Sequence, residues 1–134
     1  MKVFHLTVVT PDGTKYDGDA QSLTVRTSEG DVQILAGHMD YFGAVAVGPC
    51  RIADAEGEVR FASCAGGLVS VDKNGVTLVP TTFEYADEID LTRAKAAKDR
   101  AQSRLKEAKD EAEIRVAEAK LSRALNRISI AERR

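Results

Sequence analysis

All 10 glycines, all 3 prolines and all 7 aromatic residues of this 134-residue chain lie in its first 88 positions; the last 46 contain none. A segment free of helix breakers, with 10 Ala among 46 residues and most of the rest Lys, Arg, Glu or Leu, has the make-up of long helices. A segment in which Gly and Pro punctuate short apolar runs has that of strands and turns. Charge changes at the same place. Residues 1–88 carry 6 basic and 13 acidic side chains, a net −7, whereas residues 89–134 carry 13 and 8, a net +5. Two structural units are therefore expected, with opposite charges that favour docking at short range.

The first unit reads as antiparallel β. Phe4, Leu6 and Val8 alternate with polar His5 and Thr7, the period-2 pattern of a half-buried strand. Leu23 with Val25, and Val32 with Ile34, repeat it. Turns are written at Pro11-Asp12-Gly13, Glu56-Gly57 and Asp72-Lys73-Asn74-Gly75, where Asn-Gly is the strongest short hairpin signal. Short strands with turns every 8–12 residues imply a sandwich or flattened barrel.

The second unit reads as helix, with Asp90 as its N-cap. Ala94, Ala97, Ala101, Leu105, Ala108 and Ala112 form one apolar stripe, and Ile114, Ala117, Leu121, Ala124, Leu125, Ile128 and Ala131 a second. Between them, residues 107–113 are charged but hold neither Gly nor Pro. This stretch is compatible with a hairpin and equally with one helix of about 44 residues, about 66 Å long. Stripes of Ala bury little area, so burial favours neither form strongly, and the pattern describes a bistable element.

The composition, 43% hydrophobic and 30% charged, is that of a folding soluble chain, and its net charge of −2 argues against nucleic acid as a partner. The N-terminal residues lack the basic start and apolar core of a secretory signal, and no apolar run approaches the roughly 20 residues of a membrane helix. Cys50 and Cys64 read as reduced, packed thiols on two strands of one sheet. Phosphate loops, zinc motifs and nucleophile elbows are missing. Gly66-Gly67 reads as a bulge or a close strand approach rather than a phosphate cradle. His38 reads as a structural loop residue. Arg93 and Arg100 share one helix face, as do Arg123 and Arg127. In a hairpin these four meet towards the open end, where planar guanidinium forks suit a polyphosphate; on spacing alone, solvated surface charge describes them as well.

Four segments in this order and spacing resemble the epsilon-subunit family of bacterial F-type ATP synthases over nearly the whole chain. They are Leu6-Thr7-Val8-Val9-Thr10-Pro11-Asp12-Gly13, the run from Glu29-Gly30-Asp31 to Ala36-Gly37-His38, Ala65-Gly66-Gly67-Leu68, and Ile89-Asp90-Leu91-Thr92-Arg93-Ala94. The resemblance implies an N-terminal antiparallel β-sandwich of about ten strands (residues 1–86) and a C-terminal two-helix hairpin (residues 87–134). It implies a non-catalytic role: the sandwich binds the gamma subunit and the c-ring, coupling proton flow to ATP synthesis. The helices extend to the alpha and beta subunits to inhibit hydrolysis. The implied location is peripheral, on the cytoplasmic face of the bacterial cell membrane as part of the F1 sector, with no membrane span of its own. Two family prolines are replaced, by Ala36 and Asp40, in loops implied to face the rotor.

Among the family, the chain is most similar to bacillus-type members, in which the folded hairpin binds ATP through an Ile/Leu-Asp-x-x-Arg-Ala motif, intact here as Ile89, Asp90, Arg93 and Ala94. The resemblance carries the remaining contacts onto Glu84, Arg100, Arg123 and Arg127. The arginines are thus expected around the phosphates, and Glu84, Ile89, Asp90 and Ala94 on the adenosine side. ATP is implied as a regulatory ligand, with or without Mg²⁺, in a site that senses it without hydrolysing it. The competing expectation is a free-standing ATP-binding module that regulates another partner.

Overall fold

A computed structural model describes residues 2–133, and the chain divides into two compact units, Met1–Tyr85 and Ala86–Arg134. The first holds eight strands: β1 (Phe4–Thr10), β2 (Gly13–Thr27), β3 (Gly30–Leu35), β4 (Tyr41–Asp54), β5 (Val59–Ala65), β6 (Leu68–Asp72), β7 (Gly75–Val79) and β8 (Thr82–Tyr85). Their order in the sheet is β3-β2-β1-β7-β6-β4-β5-β8, and a further β2–β4 pairing closes the circuit into a flattened barrel. All pairings are antiparallel except β1 with β7.

The eight strands roughly match the expected ten or so; β2 and β4 are long, with 15 and 14 residues, and each serves several partners. The first half of β2 pairs with β1 and its second half with β3 and β4; β4 pairs first with β6, then with β2 and β5. Irregularities at Ala20/Ser22 and Val25/Thr27 accompany the change of partner, as bulges bend and twist a strand.

Alternation sends Leu6, Val8, Leu23, Val25, Ile34, Ile52, Val69 and Leu78 into the core, each 0–1% exposed. Cys50 and Cys64 are buried free thiols on the neighbouring strands β4 and β5. Burial pushes both thiols up, Cys64 to about 12. The turns use the residues that the sequence offers for them. Asp72 Oδ1 accepts the Asn74 N–H at 2.8 Å before Gly75, and Asp54 Oδ1 accepts the Glu56 and Glu58 N–H groups, both at 2.9 Å. Gly67, at φ +92°, lets β6 start against β7: a Cβ there would meet the Val79 carbonyl oxygen and lie 2.8 Å from Pro80 Cα.

The loop that lacks the two prolines begins with a turn over residues 35–38, closed by the His38 N–H on the Leu35 carbonyl at 3.1 Å. Gly37, at φ +80°, supplies the left-handed third position of a type II turn, and Ala36 occupies the second, where proline is favoured. His38 Nδ1 lies 2.7 Å from the Met39 carbonyl oxygen, and its ring stands edge-on to Tyr41. The loop is thus held by a backbone turn and a ring contact without either proline.

The second unit opens with a short 3-10 turn at Ala86–Glu88 and continues as α1 (Leu91–Glu107) and α2 (Glu111–Ala131). The two helices pack against each other, which resolves the open alternative in favour of a hairpin. The break is made by capping. Asp110 is the N-cap of α2 and accepts the Glu113 N–H at 2.8 Å, while Glu113 Oε2 reaches back to the Lys109 N–H at 2.8 Å. This reciprocal arrangement is a capping box displaced by one residue. Only part of each apolar stripe is buried, Ala94 and Ala101 on α1 and Ala117, Ala124 and Ala131 on α2, and Ile130 outside the stripe is buried with them. Ala112, Ile114 and Leu125 are exposed.

Candidate functional site

In a helix each residue is turned about 100° from the one before it, so offsets from a buried seam residue fix the face on which a side chain stands. Ala94 and Ala101, seven apart, mark the seam on α1, and Ala117 and Ala124, also seven apart, mark it on α2. Arg93 and Arg100 each come one residue before a seam alanine. Arg123 comes one before Ala124, and Arg127 three after it, which is the same sense of rotation. The arms of an antiparallel pair are related by a two-fold axis normal to the plane of the hairpin. Equal offsets therefore bring side chains of both arms to one broad face, and all four arginines stand there together.

A cavity of about 570 Å³ near the turn gives an independent check. It is lined by Arg104 and Glu107 of α1 together with Glu113 and Val116 of α2. The same counting puts these four residues on the arginine face. Measured from the turn at 1.5 Å per residue, Arg93 and Arg127 lie at about 24 and 27 Å, Arg123 at about 21 Å and Arg100 at about 13 Å. Arginines thus alternate between the arms towards the open end.

The other site residues have separate local tasks. Asp90 is exposed, and its Oδ1 accepts the Arg93 N–H at 3.1 Å as the N-cap of α1. Ala94 is fully buried in the seam, where a larger side chain would force the helices apart, and Ile89 is 2% exposed. Glu84 belongs to β8 in the first unit, paired in register with Ser63, while the other seven residues belong to the helical unit. Arg93, Arg100 and Arg123 are exposed and Arg127 is half-buried. Among the described residues no group of three or more His, Cys, Asp or Glu is placed to hold a metal ion. Sequence reasoning missed Arg104 and Lys120 on the same face. Their spacing from Arg100 and Arg123, four on and three back, was the available signal. Missed too was the pair Asp110 and Glu113, written as Asp-x-x-Glu.

A β-sandwich followed by an alanine-seamed helical hairpin with one cationic face defines a two-part chain. Residues 3–86 match the family model "ATP synthase, Delta/Epsilon chain, beta-sandwich domain", and residues 87–132 the "long alpha-helix domain" of the same family. The chain belongs to the ATP synthase delta/epsilon chain family, whose members are non-catalytic subunits of the F-type enzyme. It is 39% identical to the ATP synthase epsilon chain of Bacillus velezensis over 98% of both chains, and 38% identical to that of Ruminococcus albus over 100% of both. Identity to the Bacillus subtilis epsilon chain is 40%, over 98% of each. Among solved structures, a chain of the Euglena gracilis mitochondrial ATP synthase has the same fold, with a TM-score of 0.79 at 24% identity, covering 90% of this chain and 76% of that one. No helix among the described residues is long and apolar enough to cross a membrane.

Proposed function

We propose that this chain couples and regulates a rotary, proton-translocating ATP synthase: its sandwich binds the central stalk, and its hairpin is an ATP-gated brake on hydrolysis. The observation that carries the regulatory reading is the convergence of Arg93, Arg100, Arg123 and Arg127 on one face of a hairpin whose seam is alanine. Four guanidiniums offer paired donors to phosphate oxygens in a geometry that exists only while the arms are closed. Extending the hairpin separates the pairs. ATP that binds the closed form alone stabilises it by RT ln(1 + [ATP]/Kd), about 1.4 kcal/mol at ten times Kd. Ile89, Asp90 and Ala94, at the start of the helical unit, serve the adenosine side of the site. ATP enters with or without Mg²⁺ and leaves unchanged.

The extended arms reach the alpha and beta subunits and halt rotation, the +5 of residues 89–134 suiting an acidic surface there. For the stalk contact the sandwich offers an apolar patch. Leu68 lies in register between Ala44 of β4 and Val79 of β7, with Phe42 two residues along; Phe42, Leu68 and Val79 are 68%, 44% and 46% exposed. That patch suits the gamma subunit, and the loop carrying Met39 the c-ring. As part of the F1 sector the chain sits at the cytoplasmic face of the bacterial membrane.

The test is reconstitution of F1 stripped of this subunit with the full chain or with residues 1–88. Both are expected to bind the gamma subunit, but only the full chain slows ATP hydrolysis, and millimolar ATP relieves that inhibition. Equal hydrolysis rates with the two forms overturn the regulatory reading, and failure of residues 1–88 to bind gamma overturns the coupling one.

A further inference from the structure

We propose that Lys120 is a fifth phosphate-binding cation of the arginine face, an inference that rests on the nucleotide reading above. Lys120 falls three residues after Ala117 and four before Ala124, so it is turned from the seam in the same sense as Arg123 and Arg127. At about 16 Å from the turn it lies between the levels of Arg100 and Arg123, on the arm opposite Arg100. It closes the gap between the two cations of the ladder that are otherwise furthest apart.

Among the described residues of α1 and α2, the counting puts no carboxylate on this face at the level of Lys120. By the same counting its neighbours on that face are Ala97 and Arg100 across the seam, with Val116 and Arg123 along its own arm. The carboxylates on the face stand towards its two ends, Glu107 and Glu113 at the turn and Asp90 at the start of α1, and Glu113 is occupied by the Lys109 N–H. The remaining acidic residues of the middle of the hairpin, Asp99 and Glu118, are turned away from this face. Lys95 and Lys98 provide the contrast: they follow Ala94 by one and four residues and therefore stand on the opposite broad face. Lys120 is exposed, so its ammonium is free to swing towards a bound polyphosphate, and its Coulomb contribution is that of a solvated pair.

The experiment is calorimetric titration of the intact chain with ATP, using Lys120→Gln, Lys120→Arg, Lys98→Gln and Arg123→Ala. Lys120→Gln is expected to weaken ATP by about two- to fivefold, the range of an exposed ion pair, and to flatten the dependence of affinity on salt. Lys120→Arg restores affinity, and Lys98→Gln leaves it unchanged. If Arg123→Ala weakens ATP and Lys120→Gln does not, the role of Lys120 is refuted while the nucleotide reading stands. Equal losses for Lys120→Gln and Lys98→Gln refute it too, because overall charge rather than position is then responsible. If Arg123→Ala has no effect, the nucleotide reading itself falls.

Discussion

Replacing Asp110 and Glu113 together by alanine removes the only side-chain hydrogen bonds described at the turn of the hairpin. Loss of an N-cap costs about 1 kcal/mol. Loss of the second bond, from the Lys109 N–H to Glu113, costs about 0.5–1.5 kcal/mol. Alanine at position 110 also favours the continuous helix by about 0.5 kcal/mol, because Ala is the better helix former. Together these shift the balance towards one long helix by about 2–3 kcal/mol, or about 30- to 150-fold. The opposing seam is modest, since the methyls of Ala94, Ala101, Ala117 and Ala124 contribute roughly 0.8 kcal/mol each. Spin labels at the exposed positions Lys95 and Ser129 report the outcome. In the hairpin they lie about 15–20 Å apart, given helix axes 8–10 Å apart. In a continuous helix 34 residues at 1.5 Å put them at about 51 Å. The double variant is expected to populate the long distance, and ATP to draw it back. A distance distribution that stays short and unchanged in the double variant, without ATP, refutes the view that the capping box decides between the two forms.

Four further outcomes are expected. Arg123→Ala or Arg127→Ala weakens ATP by about 1–3 kcal/mol in calorimetry, the loss of a charged hydrogen bond, and an unchanged Kd removes that arginine from the site. Gly67→Ala lowers the thermal midpoint sharply or prevents folding, because its methyl meets the Val79 carbonyl; a variant as stable as the parent means that the strand approach is looser than described. Ala36→Pro raises stability by about 0.4–1 kcal/mol in urea unfolding by restricting the unfolded chain, and a loss means that the Ala36 N–H is in use. The Cys64 thiol is raised by burial, so its contribution to stability is present below about pH 9 and lost as pH rises towards about 12. Denaturant midpoints should fall over that window, and less steeply in Cys64→Ala.

Where residue pattern and backbone geometry coincide, the sequence was a good guide. The alternation of Phe4, Leu6 and Val8 appears as β1, and Asn74-Gly75 as the β6–β7 connection. What pattern did not resolve was decided by long-range pairing. Nothing local in residues 13–27 says that one strand will serve three partners, since that depends on β4 arriving from elsewhere in the chain. The hairpin turn was illegible for a different reason. Glycine and proline were the expected breakers, whereas Asp110 and Glu113 break the helix by offering the backbone better partners than the next turn does. In the candidate site, the arginines were legible as pairs at helical spacing. Their common face depends on which alanines form the seam, and four of the thirteen stripe positions, Ala94, Ala101, Ala117 and Ala124, set that geometry.

The central claim is that the closed hairpin is a sensor of ATP. Calorimetric titration of the intact chain with ATP, and separately with ADP, tests it most directly. Saturable binding of one ATP, clearly tighter than ADP, is the expected result. No heat of binding at millimolar ATP, or equal affinity for the two nucleotides, contradicts the claim and leaves the four arginines as surface charge.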